Sequence, residues 1–146
     1  MEIQITFQRK TPRLESQKIK RKLKKLFTDL DFRKGELSIL FTDDERIAEL
    51  NCRYLGRRGP TNVLAFPMIS ESSPQLLSGM LGDVVISLDT AVSESKELGE
   101  PLQRTVDRLL VHGILHLLGY DHEVSAKEAL RMSREENRLL TLIMEQ

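Results

Sequence analysis

The sequence predicts a single α+β domain over residues 1–146, with a mixed sheet of about four strands and about five helices. Its 146 residues suit one compact core and are too few for two domains of ordinary size. Hydrophobic residues make up 40% and charged residues 30%, the proportions of a globular protein rather than a disordered one. Short segments with the two-residue period of strands lie among segments of helical periodicity, which favours an α+β arrangement.

The first 55 residues predict two strands, each followed by a helix. Residues 2–8 alternate between apolar and polar side chains, as a half-buried strand does. Residues 15–27 form an amphipathic helix, because apolar residues repeat at helical spacing between six lysines and arginines. Residues 36–42 predict a second strand. Thr42 and Glu45 have the spacing of a capping box, so a second helix is expected to begin there.

Two further strands are predicted in the middle of the chain. Glycine and proline residues mark the segment 55–61 as a loop, and residues 62–67 then predict a short strand. Serine and proline residues predict a polar loop at 68–79, and residues 81–88 predict the fourth strand.

Three helices are predicted after the last strand. The first helix is capped by Asp89 and ends before Gly99. The second begins at Pro101 and ends at Gly119. The third begins with the capping box of Ser125 and Glu128.

The charged residues argue against a strongly basic nucleic-acid-binding protein. Lys plus Arg and Asp plus Glu each number 22, so the formal charges cancel. They are unevenly distributed, because residues 1–35 contain eleven basic and four acidic side chains. The basic helix therefore either gives one face of the domain a positive charge or is an ordinary solvated helix face beside an acidic remainder.

A single cysteine limits the redox chemistry and the kind of metal site. Cys52 has no partner for an internal disulfide, and a thiolate-only metal cluster is excluded. We expect Cys52 to be a buried apolar residue, and we expect a reducing, cytoplasmic setting. The sequence shows neither a membrane-spanning run nor a secretory signal, so no membrane partner is expected.

Three histidines with the spacing of metal ligands carry the predicted chemistry. His112 and His116 lie four residues apart, on one face of a predicted helix. Gly119 allows the chain to turn back, so that His122 can approach the same point. Three neutral imidazoles suit one Zn²⁺ ion with an open fourth position, as in catalytic sites, whereas a lone histidine is more often structural.

The general base of this site is not identified by the motif. Zinc proteases of the corresponding motif carry glutamate directly after the first histidine, where this chain has Gly113. Peptide hydrolysis is therefore disfavoured. Asp121 and Glu123 flank His122, and Asp121 is the candidate catalytic residue, either as a proton relay or, as we favour here, by orienting an imidazole.

These segments resemble the YbeY-type endoribonucleases of bacteria, also described as ribosomal RNA maturation factors. The resemblance is carried by HGILHLLGYDH at 112–122, by PTNVLAFP at 60–67 and by LGDVVIS at 81–87. It implies a metal-dependent hydrolase of single-stranded RNA, with the three histidines as zinc ligands. It also implies a role in 16S ribosomal RNA 3′-end maturation and ribosome quality control, with the ribosome or its small subunit as partner and no DNA.

One departure from the family pattern concerns substrate binding. The family usually has arginine after the tyrosine that corresponds to Tyr54, and this chain has Leu55. Arg57 and Arg58 follow on the same loop, where they either contact the same phosphate or are simply solvated.

Two other functions stay open on the residues alone. The chain could be a zinc-dependent, protease-like hydrolase that takes its base from elsewhere, for example Asp83 or Glu123. It could also be a non-catalytic ribosome assembly factor in which zinc only stabilises the C-terminal helices.

Overall fold

The computed structural model describes residues 1–32, 34–68 and 80–144, and the predicted polar loop lies outside them from residue 69 onward. Within these ranges the chain forms four strands and five helices, in agreement with the predicted α+β class. The strands are β1 (Glu2–Phe7), β2 (Glu36–Thr42), β3 (Val63–Pro67) and β4 (Met80–Ser87). The helices are α1 (Ser16–Asp29), α2 (Asp44–Leu55), α3 (Leu88–Leu98), α4 (Leu102–Leu117) and α5 (Ala126–Met144).

The four strands form one mixed sheet in the order β1-β2-β4-β3. The β1–β2 and β2–β4 pairs are parallel, whereas β3 is antiparallel to β4. The antiparallel strand β3 therefore lies at an edge of the sheet.

The two faces of the sheet are covered unequally. On one face, Ile39, Val84 and Ile86 of the strands belong to a single core, to which helices α1, α3, α4 and α5 also contribute. The opposite face carries α2, whose Ile47 and Leu50 pack with Leu64 and Val85 in a much smaller cluster. Neighbouring strand residues point to opposite faces, which explains why Val84 and Val85 belong to different clusters.

Helix α4 approaches the sheet closely at a glycine. A Cβ atom placed on Gly113 would lie 3.0 Å from Cγ1 of Val84 and 3.4 Å from Cγ2 of Val63. Gly113 therefore faces the β3–β4 pair, and a longer side chain at this position would collide with the sheet.

Three local predictions are wrong. Asp43 rather than Thr42 caps α2, because its side chain accepts a hydrogen bond from the Arg46 backbone N–H while the Thr42 hydroxyl donates to Gln8. Ser87 rather than Asp89 caps α3, since Asp89 instead accepts from the Asp44 backbone N–H. Cys52 is exposed, because α2 packs on the sheet through other positions of its helical period.

No helix in the described ranges is long and apolar enough to cross a membrane.

A buried ion pair joins α1 to α4. The Lys22 ammonium lies 2.8 Å from an Asp107 carboxylate oxygen, and the two side chains are only 12% and 4% exposed. Burial raises the pKa of Asp107, and the hydrogen bond from Lys22 opposes that rise. Lys22 is therefore the compensating charge for a carboxylate inside the protein.

We expect Lys22→Met to lower the free energy of unfolding by about 3–5 kcal/mol at pH 7, because it leaves the Asp107 charge buried without a partner. A raised carboxyl pKa means that the folded state binds the proton more readily than the unfolded state, so the loss should shrink as the pH falls. Urea unfolding at pH 7 and at about pH 4.5 measures both effects.

The exposed Lys24 provides the control, since Lys24→Met should change the unfolding free energy by less than about 0.5 kcal/mol at either pH. An equal loss for Lys22→Met at both pH values would contradict the role of Lys22.

Candidate metal centre

Two of the predicted ligands lie one turn apart at the C-terminal end of α4. The ring centroids of His112 and His116 are 4.6 Å apart, and their Nε2 atoms approach to 3.1 Å. Both nitrogens thus point to one place beside the helix, as the four-residue spacing predicts.

A glycine turn brings the third histidine to the same place. After α4, Gly119 adopts a φ of 99°, a conformation that favours glycine, and its N–H donates to the His116 carbonyl. The Tyr120 N–H donates to the Leu115 carbonyl, which completes the helix end. The ring of His122 then lies 5.5 Å from that of His112 and 5.4 Å from that of His116, measured between centroids.

The donor set fits one metal ion. One ring nitrogen from each of His112, His116 and His122 lies within 4.8 Å of the others, so this group could hold a metal. Nitrogens that share a tetrahedral zinc ion at about 2.0–2.1 Å are about 3.3 Å apart, close to the spacing of the first two. His122 is exposed, and its ring nitrogen is the third donor, within 4.8 Å of the other two.

The surroundings of His116, the second of the three candidate ligands, favour its neutral form. Burial lowers the pKa of His116, and the neighbouring His112 and His122 lower it further. The nearby carboxylates of Asp121 and Glu136 act in the opposite direction and are outweighed. The neutral imidazole, which is the form that binds metals, is therefore favoured at His116.

The carboxylate that contacts an imidazole is not one of those that the sequence predicted. Oε1 of Glu136, on α5, lies 2.9 Å from Nδ1 of His112. The sequence does contain an indication of this residue, because Glu136 is a carboxylate at a position where the helical period of α5 calls for an apolar side chain. The Asp121 carboxylate instead accepts a hydrogen bond from the Glu123 backbone N–H, within the turn that carries His122.

The histidines face an open cleft between α4 and the edge strand β3. The cleft has a volume of about 530 Å³, and residues of β3 form one side of it. Leu55 and Arg57 line the cleft at the end of α2, whereas Arg58 lies on the same exposed loop without lining it. Asp121 and Glu123 line the cleft on the side of the glycine turn.

The amide of Asn51 holds the loop that carries Arg57. Its Nδ2 donates to the Gly59 carbonyl at 3.0 Å, and its backbone carbonyl accepts from the Arg57 N–H. Asn51 is 5% exposed, so this loop is attached to the buried side of α2.

The Asp83 carboxylate lies away from the histidines. It lines a separate groove on the α2 side of the sheet, together with Leu40 and Phe66. Its strand neighbour Val84 faces α4 instead, as the alternation of a strand requires.

Comparison with known proteins identifies the family. The sequence profile of the family described as Endoribonuclease YbeY matches residues 4–144. A relative of that name from Syntrophus aciditrophicus is 40% identical over 144 residues, which are 98% of this chain and 90% of the relative. A second, from Aquifex aeolicus, is 49% identical over 106 residues, 73% of this chain and 69% of the relative.

A solved structure shows the same fold. The solution structure of a Thermotoga maritima protein aligns with a TM-score of 0.69, over 97% of this chain and 88% of that chain, at 23% identity. The family profile covers nearly the whole chain, including the helix, the glycine turn and all three histidines. This chain belongs to the YbeY endoribonuclease family.

Proposed function

We propose that residues 1–146 form one hydrolase domain, a zinc-dependent endoribonuclease that cuts phosphodiester bonds in single-stranded RNA. One zinc ion would be held by His112, His116 and His122. The observation that carries the proposal is the convergence of three imidazoles on an open cleft, in a chain that belongs to an endoribonuclease family. Three protein ligands with an accessible fourth position are typical of catalytic rather than structural zinc.

The chain's own residues would bind the RNA strand and move the proton. When loaded, such a site supplies a Lewis acid for a phosphate oxygen and a water of lowered pKa. Arg57 would contact a phosphate through charge-assisted hydrogen bonds, since it lines the cleft in which the histidines lie. Leu55 is 46% exposed beside it and offers no charge in place of the family's arginine.

Asp121 is the catalytic candidate for proton transfer. It lines the cleft and lies close enough to His116 to influence the pKa of that imidazole. The contact of Glu136 with His112 supports giving the orienting role to Glu136, which leaves Asp121 available to exchange a proton with substrate or water.

We further propose that the substrate is 16S ribosomal RNA near its 3′ end, in maturation and ribosome quality control in the cytoplasm, with the ribosome or its small subunit as partner. The resemblance of the sequence motifs to ribosomal RNA maturation factors supports this proposal, and the name of the relatives, Endoribonuclease YbeY, supports an RNA substrate. Exposed cations on α1 would add a second RNA contact. Helix α1 meets α4 at the Lys22–Asp107 ion pair, nine residues or about 14 Å along the helix axis before His116.

The geometry disfavours the protease-like alternative. The position that carries the base in zinc proteases is Gly113, which faces Val84 and has no room for a carboxylate. Of the two other bases, Asp83 is on the other side of the sheet, whereas Glu123 lines the cleft and is the base that such a hydrolase would have to use. The open cleft likewise disfavours a purely structural zinc ion, since structural sites are closed by four protein ligands.

We expect purified wild-type protein to hold about one zinc ion and to cut single-stranded ribosomal RNA, and His116→Ala to lose both while staying folded. Metal analysis, RNA cleavage and circular dichroism on the same preparations measure this. A chelator should abolish cleavage, and added zinc should restore it.

Three results would contradict the proposal. Bound zinc with intact RNA would favour the assembly factor, cleavage of peptides but not RNA would favour the protease-like hydrolase, and equal zinc binding by His116→Ala would remove the metal site.

We expect Arg57→Ala to lower kcat/KM for RNA about 10- to 100-fold, the loss of one or two hydrogen bonds to a charged group. Arg58→Ala, which removes the same charge from the same loop outside the cleft, should cost less than about threefold. Initial rates at several salt concentrations measure both variants. Equal losses would mean that only the summed charge of the loop matters.

We expect Asp121→Asn to lower kcat at least 100-fold without changing the zinc content, because the amide cannot accept the proton. Single-turnover cleavage and metal analysis separate the chemical step from zinc binding. Full activity with full zinc affinity would exclude Asp121 from the mechanism.

A further inference from the structure

A carboxylate occupies a core-facing position of the last helix. Met132, Leu139 and Ile143 are the buried residues of α5, and they lie on one face of the helix. Glu136 follows Met132 by four residues and precedes Leu139 by three, so it belongs to that face. Its side chain is only 23% exposed, and a carboxylate in such a place requires a partner.

The partner of Glu136 is a predicted metal ligand. Oε1 of Glu136 lies 2.9 Å from Nδ1 of His112. An ionised carboxylate only accepts hydrogen bonds, so His112 must carry its proton on Nδ1. The other nitrogen, Nε2, then presents its lone pair, and this is the atom that lies 3.1 Å from Nε2 of His116.

The position of Glu136 is set by the packing of α5. The buried face of this helix belongs to the main core, in which it meets α4 and α1. Arg138 adds an ion pair across to Asp29 of α1, at 2.6 Å. Glu136 therefore reaches His112 from a separate, fixed helix, 24 positions later in the chain.

We infer that Glu136 is a positioning residue, which holds the His112 ring in the Nδ1–H tautomer and directs Nε2 to the metal. The inference rests on the proposed metal centre, and it adds a fourth residue, on a different helix, to that site. Partners of this kind orient the ligating imidazole and raise its basicity, and their loss commonly weakens metal binding 10- to 100-fold.

The decisive variant is Glu136→Leu. Leucine suits the apolar face of α5, so the metal-free variant should unfold at a denaturant concentration no lower than wild type. Its affinity for Zn²⁺, measured by competition with a chromophoric chelator, should fall at least tenfold. Glu136→Gln retains an oxygen that can accept the Nδ1 proton, so its loss of affinity should be smaller.

Nitrogen NMR of the imidazole rings provides a readout on the metal-free protein. Wild-type His112 should show the Nδ1–H tautomer, and Glu136→Leu should lose it. The neighbouring Glu135→Gln removes the same charge from a carboxylate that pairs with Arg138, so its zinc affinity and His112 tautomer should match wild type.

Three results would each overturn the role of Glu136. The first is a zinc affinity of Glu136→Leu within about twofold of wild type, and the second is an unchanged His112 tautomer in that variant. The third is an equal loss of zinc affinity in Glu135→Gln. If wild type binds zinc tightly and His116→Ala does not, such a result leaves the metal centre intact. If wild type and His116→Ala bind zinc alike, the metal centre and the role of Glu136 both fail.

Discussion

The close packing of α4 on the β3–β4 pair is the constraint on which the site depends. Because Gly113 has no side chain, α4 can lie so close to Val84 and Val63 that a Cβ atom on this residue would crowd both side chains. This contact sets the rotation of α4, so that His112 and His116, one residue before and three after the glycine, emerge at the cleft beside β3. The glycine that removes a protease-type base is thus the residue that brings the two imidazoles to the edge strand.

Two side-chain contacts of low exposure join α4 to other helices. Lys22 of α1 compensates Asp107 of α4, and Glu136 of α5 meets His112 of α4. Both contacts attach a neighbouring helix to α4, one in its N-terminal half and the other at the candidate metal ligands. Tyr120 adds a third attachment, because Arg131 of α5 lies over its ring at 4.3 Å and holds the glycine turn against the last helix.

Local periodicity was sufficient to predict the secondary-structure elements and the three candidate metal ligands, but not the groups that surround those histidines. The strands and helices follow patterns within a few residues, and the four-residue spacing of the histidines is a property of a single helix. The misplaced caps at Thr42 and Asp89 show the limit, since both side chains bond to distant parts of the chain instead. The contacts of Asp121 and Glu136 depend on a turn and on a second helix, which local spacing does not encode.

The sequence by itself determined the α+β class, three metal-ligand candidates and the family, because these depend on short-range spacing and on motifs that are contiguous in the chain. Tertiary structure alone decided that Arg57 rather than Arg58 lines the cleft, that Asp83 lies across the sheet, and that Glu136 contacts His112. Each of these depends on the packing of elements far apart in the sequence. The physical reason is that the periodicity of a helix or strand shows which of its residues share a face. Which other element packs against that face depends on the packing of the whole core.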